Sequence, residues 1–241
     1  MSSLSRNSEK LSGKKSFVIA IDGPAASGKS TTAYLLAKKL DFLYLDTGAM
    51  YRALTWKALQ EGIDLKKEDR LSEMAEKTNI EIFPKEESFG TCVFVDGKDI
   101  SSLIRTPEVT RWVSVLSKVP GVREAMVKLQ RKIACNRSVV AEGRDIGTVV
   151  FPEADVKIFL VASLEERARR RWKELNEKGI FCTKEEIKRE LELRDKIDSE
   201  REVAPLRKAP DAFLVDNTNL DTAQTLEKIL GIVKSKIKNL K

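Results

Sequence analysis

Five short apolar segments, each followed by a polar turn, set the hydrophobic pattern of the chain. They lie at 17–21, 41–45, 138–141, 156–162 and 212–215. Short apolar runs rich in β-branched residues are typical of strands that are buried on both faces of a sheet. Because helix-forming sequences separate them, the pattern predicts a doubly wound α/β fold with a five-stranded parallel sheet flanked by helices.

The stretch from about 78 to 104 departs from this alternation of strands and helices. Residues 79–83 alternate polar and apolar positions, and residues 91–95 are β-rich and end at the turn pair Asp96-Gly97. This pattern predicts a small antiparallel hairpin or three-stranded sheet. We therefore expect a disordered tail at 1–15 and a single domain at 16–241 that carries this insert.

The first apolar segment leads into a glycine loop, GPAASGKST at 23–31, and then into a helix-forming sequence. A strand, a Gly-x4-Gly-Lys-Ser loop and a helix, in that order, indicate a phosphate-binding loop. Its glycines let backbone N–H groups surround a polyphosphate, and the helix N-terminus adds positive potential. Lys29 would supply a full charge, and Ser30 could ligate Mg²⁺. The alternative is a plain tight turn, but a chance match to the four fixed positions occurs in only about one per cent of chains this long.

Composition and charge narrow the remaining classes of function. The 241 residues carry a net charge of +7, which fits either solvated lysines or an anionic partner such as a nucleotide, a nucleic acid or a membrane surface. Histidine is absent and the three cysteines lie far apart, so a zinc site, a disulfide framework and Ser–His or Cys–His catalysis are disfavoured. The sequence has neither a secretory signal nor an apolar run near the roughly 20 residues of a membrane span. We expect a cytoplasmic protein.

A basic helical pair is predicted between the fourth and fifth strands, at about 163–205. The first helix is expected over 165–178. The second is expected to carry Arg194, Asp198 and Arg201 on one face, because their spacing is i, i+4, i+7. The charged residues singled out here are Arg167, Arg169, Arg170, Arg171, Arg194, Asp198 and Arg201. A solvated surface with Glu–Arg pairs is the ordinary interpretation. Opposite a phosphate loop, the segment could instead close over polyphosphate as a lid and exclude water.

Polar turns follow the other strands. Arg52 comes shortly after the second strand, at the carboxyl edge of the sheet where α/β proteins bind ligands, although it could equally pair with a surface acid. The third strand runs into EGRDIGTVVFP at 142–152. Like the first two strands, it therefore ends in a polar, glycine-containing turn at its carboxyl end.

Together these motifs resemble the bacterial-type cytidylate kinases over residues 16–238. The resemblance rests on GPAASGKST at 23–31, DTGAMYR at 46–52, the 142–152 motif, and RDKIDSER at 194–201 followed by APL at 204–206. The first motif alone indicates only a P-loop protein, whereas the second and third are much more specific. The resemblance implies a P-loop kinase core with the 78–104 insert as the nucleoside monophosphate-binding (NMP-binding) region and a helical lid.

The implied reaction is transfer of the ATP γ-phosphoryl group to CMP or dCMP, with Mg²⁺ as cofactor. The residues that would hold the ATP phosphates are Gly23, Pro24, Ala25, Ala26, Ser27, Gly28, Lys29, Ser30 and Thr31, with Ser30 facing the metal. Arg52, Arg144 and Arg201 would clamp the acceptor phosphate. Asp145 and Arg123 would read the base with Thr47 nearby, and Ser114, Arg194 and Asp198 would contact the sugar. Those expected to act in catalysis are Lys29, Arg144, Arg167 and Arg171.

The resemblance implies small-molecule substrates, no nucleic-acid or membrane partner, and a monomer. Three alternatives stay open. One is another small-molecule kinase of the same fold, of the UMP/CMP or AMP type. A regulatory GTPase would need an Asn-Lys-x-Asp sequence after a late strand, which DNTN at 216–219 does not provide. A nucleic-acid binder would fit the basic charge, but no recognition motif of that class is present.

Overall fold

The computed structural model describes residues 16–85, 89–177 and 179–237. The expected tail at 1–15, the predicted helix end at Lys178 and the end of the resemblance at Lys238 lie outside the described residues. A five-stranded parallel sheet forms the centre of the fold, and helices pack on it, as the apolar pattern predicts. No helix in the described part of the chain is long and apolar enough to cross a membrane.

The sheet is built from strands β1 (Val18–Asp22), β2 (Leu43–Asp46), β6 (Val139–Gly143), β7 (Val156–Val161) and β8 (Phe213–Asp216). Their order is β2-β6-β1-β7-β8, so β1 pairs with β6 on one side and with β7 on the other. All four pairings are parallel. The carboxyl ends of all five strands therefore meet at one edge, which places their polar turns together.

The helices are α1 (Lys29–Leu40), α2 (Thr47–Gln60), α3 (Glu68–Lys77), α4 (Pro107–Leu116), α5 (Pro120–Ala134), α6 (Leu164–Glu177), α7 (Lys184–Glu200) and α8 (Thr222–Lys236). Local sequence sets their starts. Asp46 caps α2 by accepting the N–H of Ala49, and Thr106 caps α4, whose first residue is proline. The last helix begins at Thr222 because Asp221 forms a capping box with Gln224.

The second strand begins two residues later than predicted. Asp41 takes a left-handed conformation (φ 55°) as the C-cap of α1, so it ends the helix instead of starting the strand. The third strand ends two residues later than predicted, at Gly143, and a π-helical turn over Ile146–Val150 follows it. Asp22, at the end of β1, accepts the N–H groups of Ile146 and Gly147 at 2.8 Å each. This carboxylate therefore ties the start of the phosphate loop to the 142–152 motif.

The insert is a three-stranded sheet, the second of the two predicted possibilities. Its strands are β3 (Ile80–Pro84), β4 (Thr91–Val95) and β5 (Lys98–Asp99), and each pairs antiparallel with its neighbour. Its inward residues do not form a separate core. Ile80, Ile82, Val93 and Val95 are buried in the same apolar cluster as Leu54 of α2. The insert therefore braces the helix that carries Arg52.

Candidate functional site

The phosphate loop joins β1 to α1, and its backbone explains its first glycine. A Cβ at Gly23 would lie 2.0 Å from the carbonyl oxygen of Leu160, so no side chain fits there. Gly28 has φ 90°, a left-handed conformation that glycine adopts at little cost. Lys29 curls back over the loop, and its ammonium donates to the carbonyl of Pro24 at 2.7 Å. The loop is thus already formed around its lysine.

Lys29 is buried, with 5% of its surface exposed. Burial and the nearby Arg144 guanidinium lower the pKa of Lys29 to about 7. Burial raises the pKa of the neighbouring Glu142, and its carboxylate accepts hydrogen bonds from the hydroxyls of Ser30 and Tyr44. Polyphosphate placed against Lys29 would favour its charged form, because an anion close to an ammonium raises the pKa.

The oxygen atoms around Ser30 are suited to ligate Mg²⁺. The Ser30 hydroxyl, the Glu142 carboxylate and Asp46 all line one cavity, and oxygen ligands suit this hard cation. Within 16–85, 89–177 and 179–237 no three Asp, Glu, Cys or His side chains are grouped to hold a metal. Mg²⁺ at such sites ordinarily takes one or two protein ligands and fills its shell with phosphate oxygens and water.

Two cavities adjoin at the carboxyl edge of the sheet. The larger, of about 880 Å³, lies between the phosphate loop and helices α6 and α7. The smaller, of about 60 Å³, lies between α2, α4, the start of the 142–152 motif and α7. Gly48, Arg144 and Arg194 line both cavities. A group bound in one cavity would therefore face a group bound in the other.

Eight of the nine predicted substrate-binding residues line the smaller cavity. They are Thr47, Ser114, Arg123, Arg144, Asp145, Arg194, Asp198 and Arg201. The ninth, Arg52, lines the larger cavity and donates to the hydroxyl of Thr110 at 2.9 Å. The lining residues of the smaller cavity come from the sheet edge and from α2, α4, α5 and α7, whereas the insert contributes Phe89 to the larger one.

Charged pairs organise the smaller cavity. Arg144 Nε donates to Asp198 at 2.7 Å. Asp145 accepts from Arg123 in a short hydrogen bond, and Arg201 Nη2 lies 3.6 Å from its other carboxylate oxygen. All of these side chains are buried or nearly so. Each arginine is thereby held in a fixed orientation, which lowers the entropic cost of binding an anion.

Positive charge exceeds negative charge where the two cavities meet. The Nε of Arg194 and the Nη2 of Arg201 are buried and have no hydrogen-bond partner among the described residues. Burial and neighbouring arginines lower the pKa of Arg52 to about 9 and that of Arg194 to about 10. Clustered guanidinium groups with free donors suit a bound phosphate, which would relieve their mutual repulsion.

The predicted phosphate-loop and arginine residues do not all line the larger cavity. Residues 25–31 line the larger cavity, whereas Gly23 packs on β7 and Pro24 binds Lys29 through its carbonyl. Arg171 also lines the larger cavity and pairs with Glu174. Arg167 does not: it is buried, and its guanidinium contacts Ala25, Ala162 and Asp195.

Two residues of the site were not singled out from the sequence. Asn217 donates to the carbonyl of Ser27 at 3.0 Å, next to Arg170 of the basic helical pair, and Arg105 pairs with Asp46 at 2.9 Å beside the larger cavity. Asn217 directly follows β8, so the rule that strand ends carry ligand-binding residues could have identified it. Arg105 lies in no motif, and no feature of the sequence marks it.

This fold and site define a P-loop protein with two adjoining cationic cavities. A sequence model of the cytidylate kinase family matches residues 19–235. The cytidylate kinase of Carboxydothermus hydrogenoformans is 52% identical over 218 residues, which cover 90% of this chain and 97% of that protein. The cytidylate kinase of Bacillus subtilis is 50% identical over 223 residues, covering 92% and 99%. The chain therefore belongs to the cytidylate kinase family, and it is an enzyme of that type.

A solved structure supports the fold alone. An uncharacterized protein from Eubacterium ventriosum superposes with a TM-score of 0.50 at 12% identity, over 91% of this chain and 99% of that one. Family membership confirms the resemblance drawn from the four motifs. The roles of the individual site residues stay predictions.

Proposed function

We propose that this protein transfers the γ-phosphoryl group of ATP to the phosphate of CMP or dCMP, giving ADP and CDP or dCDP. The observation that carries the proposal is the junction of the two cavities at Arg144. One cavity contains the phosphate loop and the other contains a buried carboxylate suited to a cytosine amino group. Family membership supports the same reaction.

In this proposal the larger cavity binds the ATP phosphates and the smaller one binds the acceptor. Lys29 and the N–H groups of the loop neutralise the outer phosphates. Arg52, Arg144 and Arg201 hold the acceptor phosphate, and Asp145, supported by Arg123, accepts from the cytosine amino group. Thr47 supports the base-reading side, and Ser114, Arg194 and Asp198 face the sugar.

The transfer itself needs alignment and charge neutralisation more than covalent help. An oxygen of the acceptor phosphate attacks the γ-phosphorus in line, and the bond to the β-phosphate bridging oxygen breaks. The acceptor is already an anion, so no strong general base is required. Lys29, Arg144 and Arg171 stabilise the charge on the transferring group. Mg²⁺, held by Ser30 and the nucleotide oxygens, would supply further charge neutralisation when bound.

The wider arrangement is part of the same proposal. The basic segment at 163–205 acts as a lid, and the 78–104 insert serves the NMP-binding side by supporting α2. We further propose a cytoplasmic monomer that acts on small molecules, without nucleic-acid or membrane partners. Light scattering would test whether the protein is a monomer. A DNA-binding titration at two salt concentrations would test for a nucleic-acid partner, since nucleic-acid binding depends steeply on salt.

The proposed activity is tested by measuring ADP release from ATP and Mg²⁺ with each of CMP, dCMP, UMP, AMP, GMP and shikimate. We expect strong activity confined to CMP and dCMP. Equal activity with UMP would favour the UMP/CMP-type alternative and discard the role of Asp145. Activity with AMP, GMP or shikimate alone would contradict the proposed substrate.

Arg144→Ala is expected to lower kcat/KM for CMP by about 10²–10³-fold, because Arg144 lies between the two phosphates and acts most strongly on the charge of the transition state. ATP affinity should change far less, since Lys29 and the loop remain. Arg137→Ala, which removes an exposed arginine just before β6, is the matched control. Unchanged kinetics with CMP would remove Arg144 from the site.

A further inference from the structure

Both lid helices bind the backbone of the phosphate loop at Ala25. Asp195 of α7 accepts the N–H of Ala25 on one carboxylate oxygen at 3.3 Å. Its other oxygen accepts from the Nη1 of Arg167, on α6, at 2.6 Å. The same Nη1 donates to the carbonyl of Ala25 at 3.2 Å. One Arg–Asp pair, contributed by both lid helices, therefore binds the N–H and the C=O of a single loop residue.

Apolar packing closes the same contact. Ala25 is buried in a small cluster with Ala168 of α6 and with Ile187 and Leu191 of α7. Arg167 is 7% exposed, and its Nε also donates to the carbonyl of Ala162 at 3.1 Å. A buried ion pair of this kind is sensitive to loss of either partner, because the remaining charge is left uncompensated.

We propose that Asp195 is a positioning residue that locks the lid onto the phosphate loop and keeps water out of the larger cavity. Asp195 lines neither cavity, so it acts through Arg167 and Ala25 rather than on the substrates. This inference rests on the proposed kinase function, in which water is the rival acceptor. It also gives Arg167 a defined part: it joins α6 to the loop.

A second ion pair between the same helices provides the contrast. Lys188 of α7 lies 2.7 Å from Glu165 of α6, but the two side chains are 40% and 71% exposed, and neither lines the larger cavity. If Asp195 only held the two helices together, breaking either pair would have a similar kind of effect. If Asp195 instead positions the loop, only loss of the Asp195 pair should change how much ATP is hydrolysed by water rather than used to phosphorylate CMP.

The test compares Asp195→Asn with Glu165→Gln in the full-length enzyme. An asparagine keeps the shape of the side chain but turns an N–H₂ group toward a donor, either Arg167 or Ala25. In the loosened site, water attacks the γ-phosphorus, the bond to ADP breaks and inorganic phosphate forms, so ADP appears without CDP. We expect kcat for CDP formation to fall by about ten- to a hundredfold in Asp195→Asn. The ratio of ADP to CDP formed should rise at least about threefold, whereas Glu165→Gln should stay within about twofold of wild type on both measures.

Hydrogen exchange of the same proteins without nucleotide decides on the contact itself. We expect faster exchange at 23–28 and 184–200 in Asp195→Asn, and wild-type exchange at 23–28 in Glu165→Gln. Wild-type exchange at 23–28 in Asp195→Asn would overturn the proposed lock, and so would an unchanged ADP to CDP ratio. Failure of the wild-type enzyme to make CDP would overturn the kinase function instead, while exchange would still report on the lock.

Discussion

Lys29→Met should lower kcat by about 10³-fold, the largest loss we expect from one substitution, because no other charged group lies inside the phosphate loop. Methionine fills similar space without the charge or the hydrogen bond to Pro24. Lys29→Arg keeps a positive charge and is expected to retain more activity than Lys29→Met. Equal activity of the methionine variant and wild type, in an assay of ADP and CDP formation, would contradict the central role of this lysine.

The same variant should behave differently toward unfolding, because the protein holds Lys29 at a pKa of about 7, below its unfolded value near 10.5. A lysine with a lowered folded pKa destabilises the folded state fully below pH 7, where it is charged in both the folded and the unfolded protein. This destabilisation disappears above pH 10.5, where the lysine is neutral in both. Methionine has no such cost. The free energy of unfolding of the variant minus that of wild type should therefore be about 2 kcal/mol larger at pH 6.5 than at pH 9.

Urea denaturation at these two pH values measures the change. Glu142 acts in the same direction: without Lys29 its raised pKa rises further, and a carboxyl with a raised folded pKa favours folding at lower pH. A stability difference that does not depend on pH would show that Lys29 titrates normally in the folded protein. These opposite effects on activity and stability would mark Lys29 as a residue kept for function at a cost in stability.

The sequence pattern was sufficient to predict the sheet, and together with the family resemblance it predicted eight of the residues that line the smaller cavity. Continuous apolar runs identify buried parallel strands, and the carboxyl ends of such strands must meet at one edge. Thr47, Arg144 and Asp145 follow β2 and β6, so their convergence needs no knowledge of side-chain packing. The i, i+4 spacing then puts Arg194 and Asp198 on one face of α7. Arg201 was expected on the same helix but follows it as the C-cap with an extended backbone, and it still lines the same cavity.

What the sequence could not predict depends on contacts between distant segments. Asp195 meets Ala25 across 170 positions, and Asp22 meets Ile146 across 124. Arg167 and Arg171 are four residues apart and so lie on one side of α6, but tertiary packing directs Arg167 to the loop backbone and Arg171 to the cavity. The insert is a similar case, because period-2 alternation identifies its strands without showing that they share the core of α2.

Asp145→Asn should change which pyrimidine the enzyme accepts. The wild-type carboxylate is buried between Arg123 and Arg201 and can only accept hydrogen bonds, which suits the amino group of cytosine and opposes the carbonyl of uracil. An asparagine amide can turn its N–H₂ group toward uracil. We expect the ratio of kcat/KM for CMP to that for UMP to fall by about 10²-fold, from one good hydrogen-bonding pair lost and one mismatch relieved.

The ratio is the proper measurement because this substitution also loosens the protein. Arg123 is 3% exposed and would lose its charged partner, leaving a buried guanidinium with only neutral acceptors such as the carbonyl of Ser117 at 3.2 Å and the new amide oxygen, so the melting temperature should fall. A smaller folded fraction lowers kcat/KM for both nucleotides equally and cancels in the ratio. Asp198→Asn is the matched control, since Asp198 is another buried carboxylate paired with an arginine of the same cavity. It should weaken CMP and UMP together, because in our proposal it faces the sugar that both share. A CMP to UMP ratio that moves equally in the two variants would mean that the cavity selects the base by its overall charge and shape, and not through Asp145.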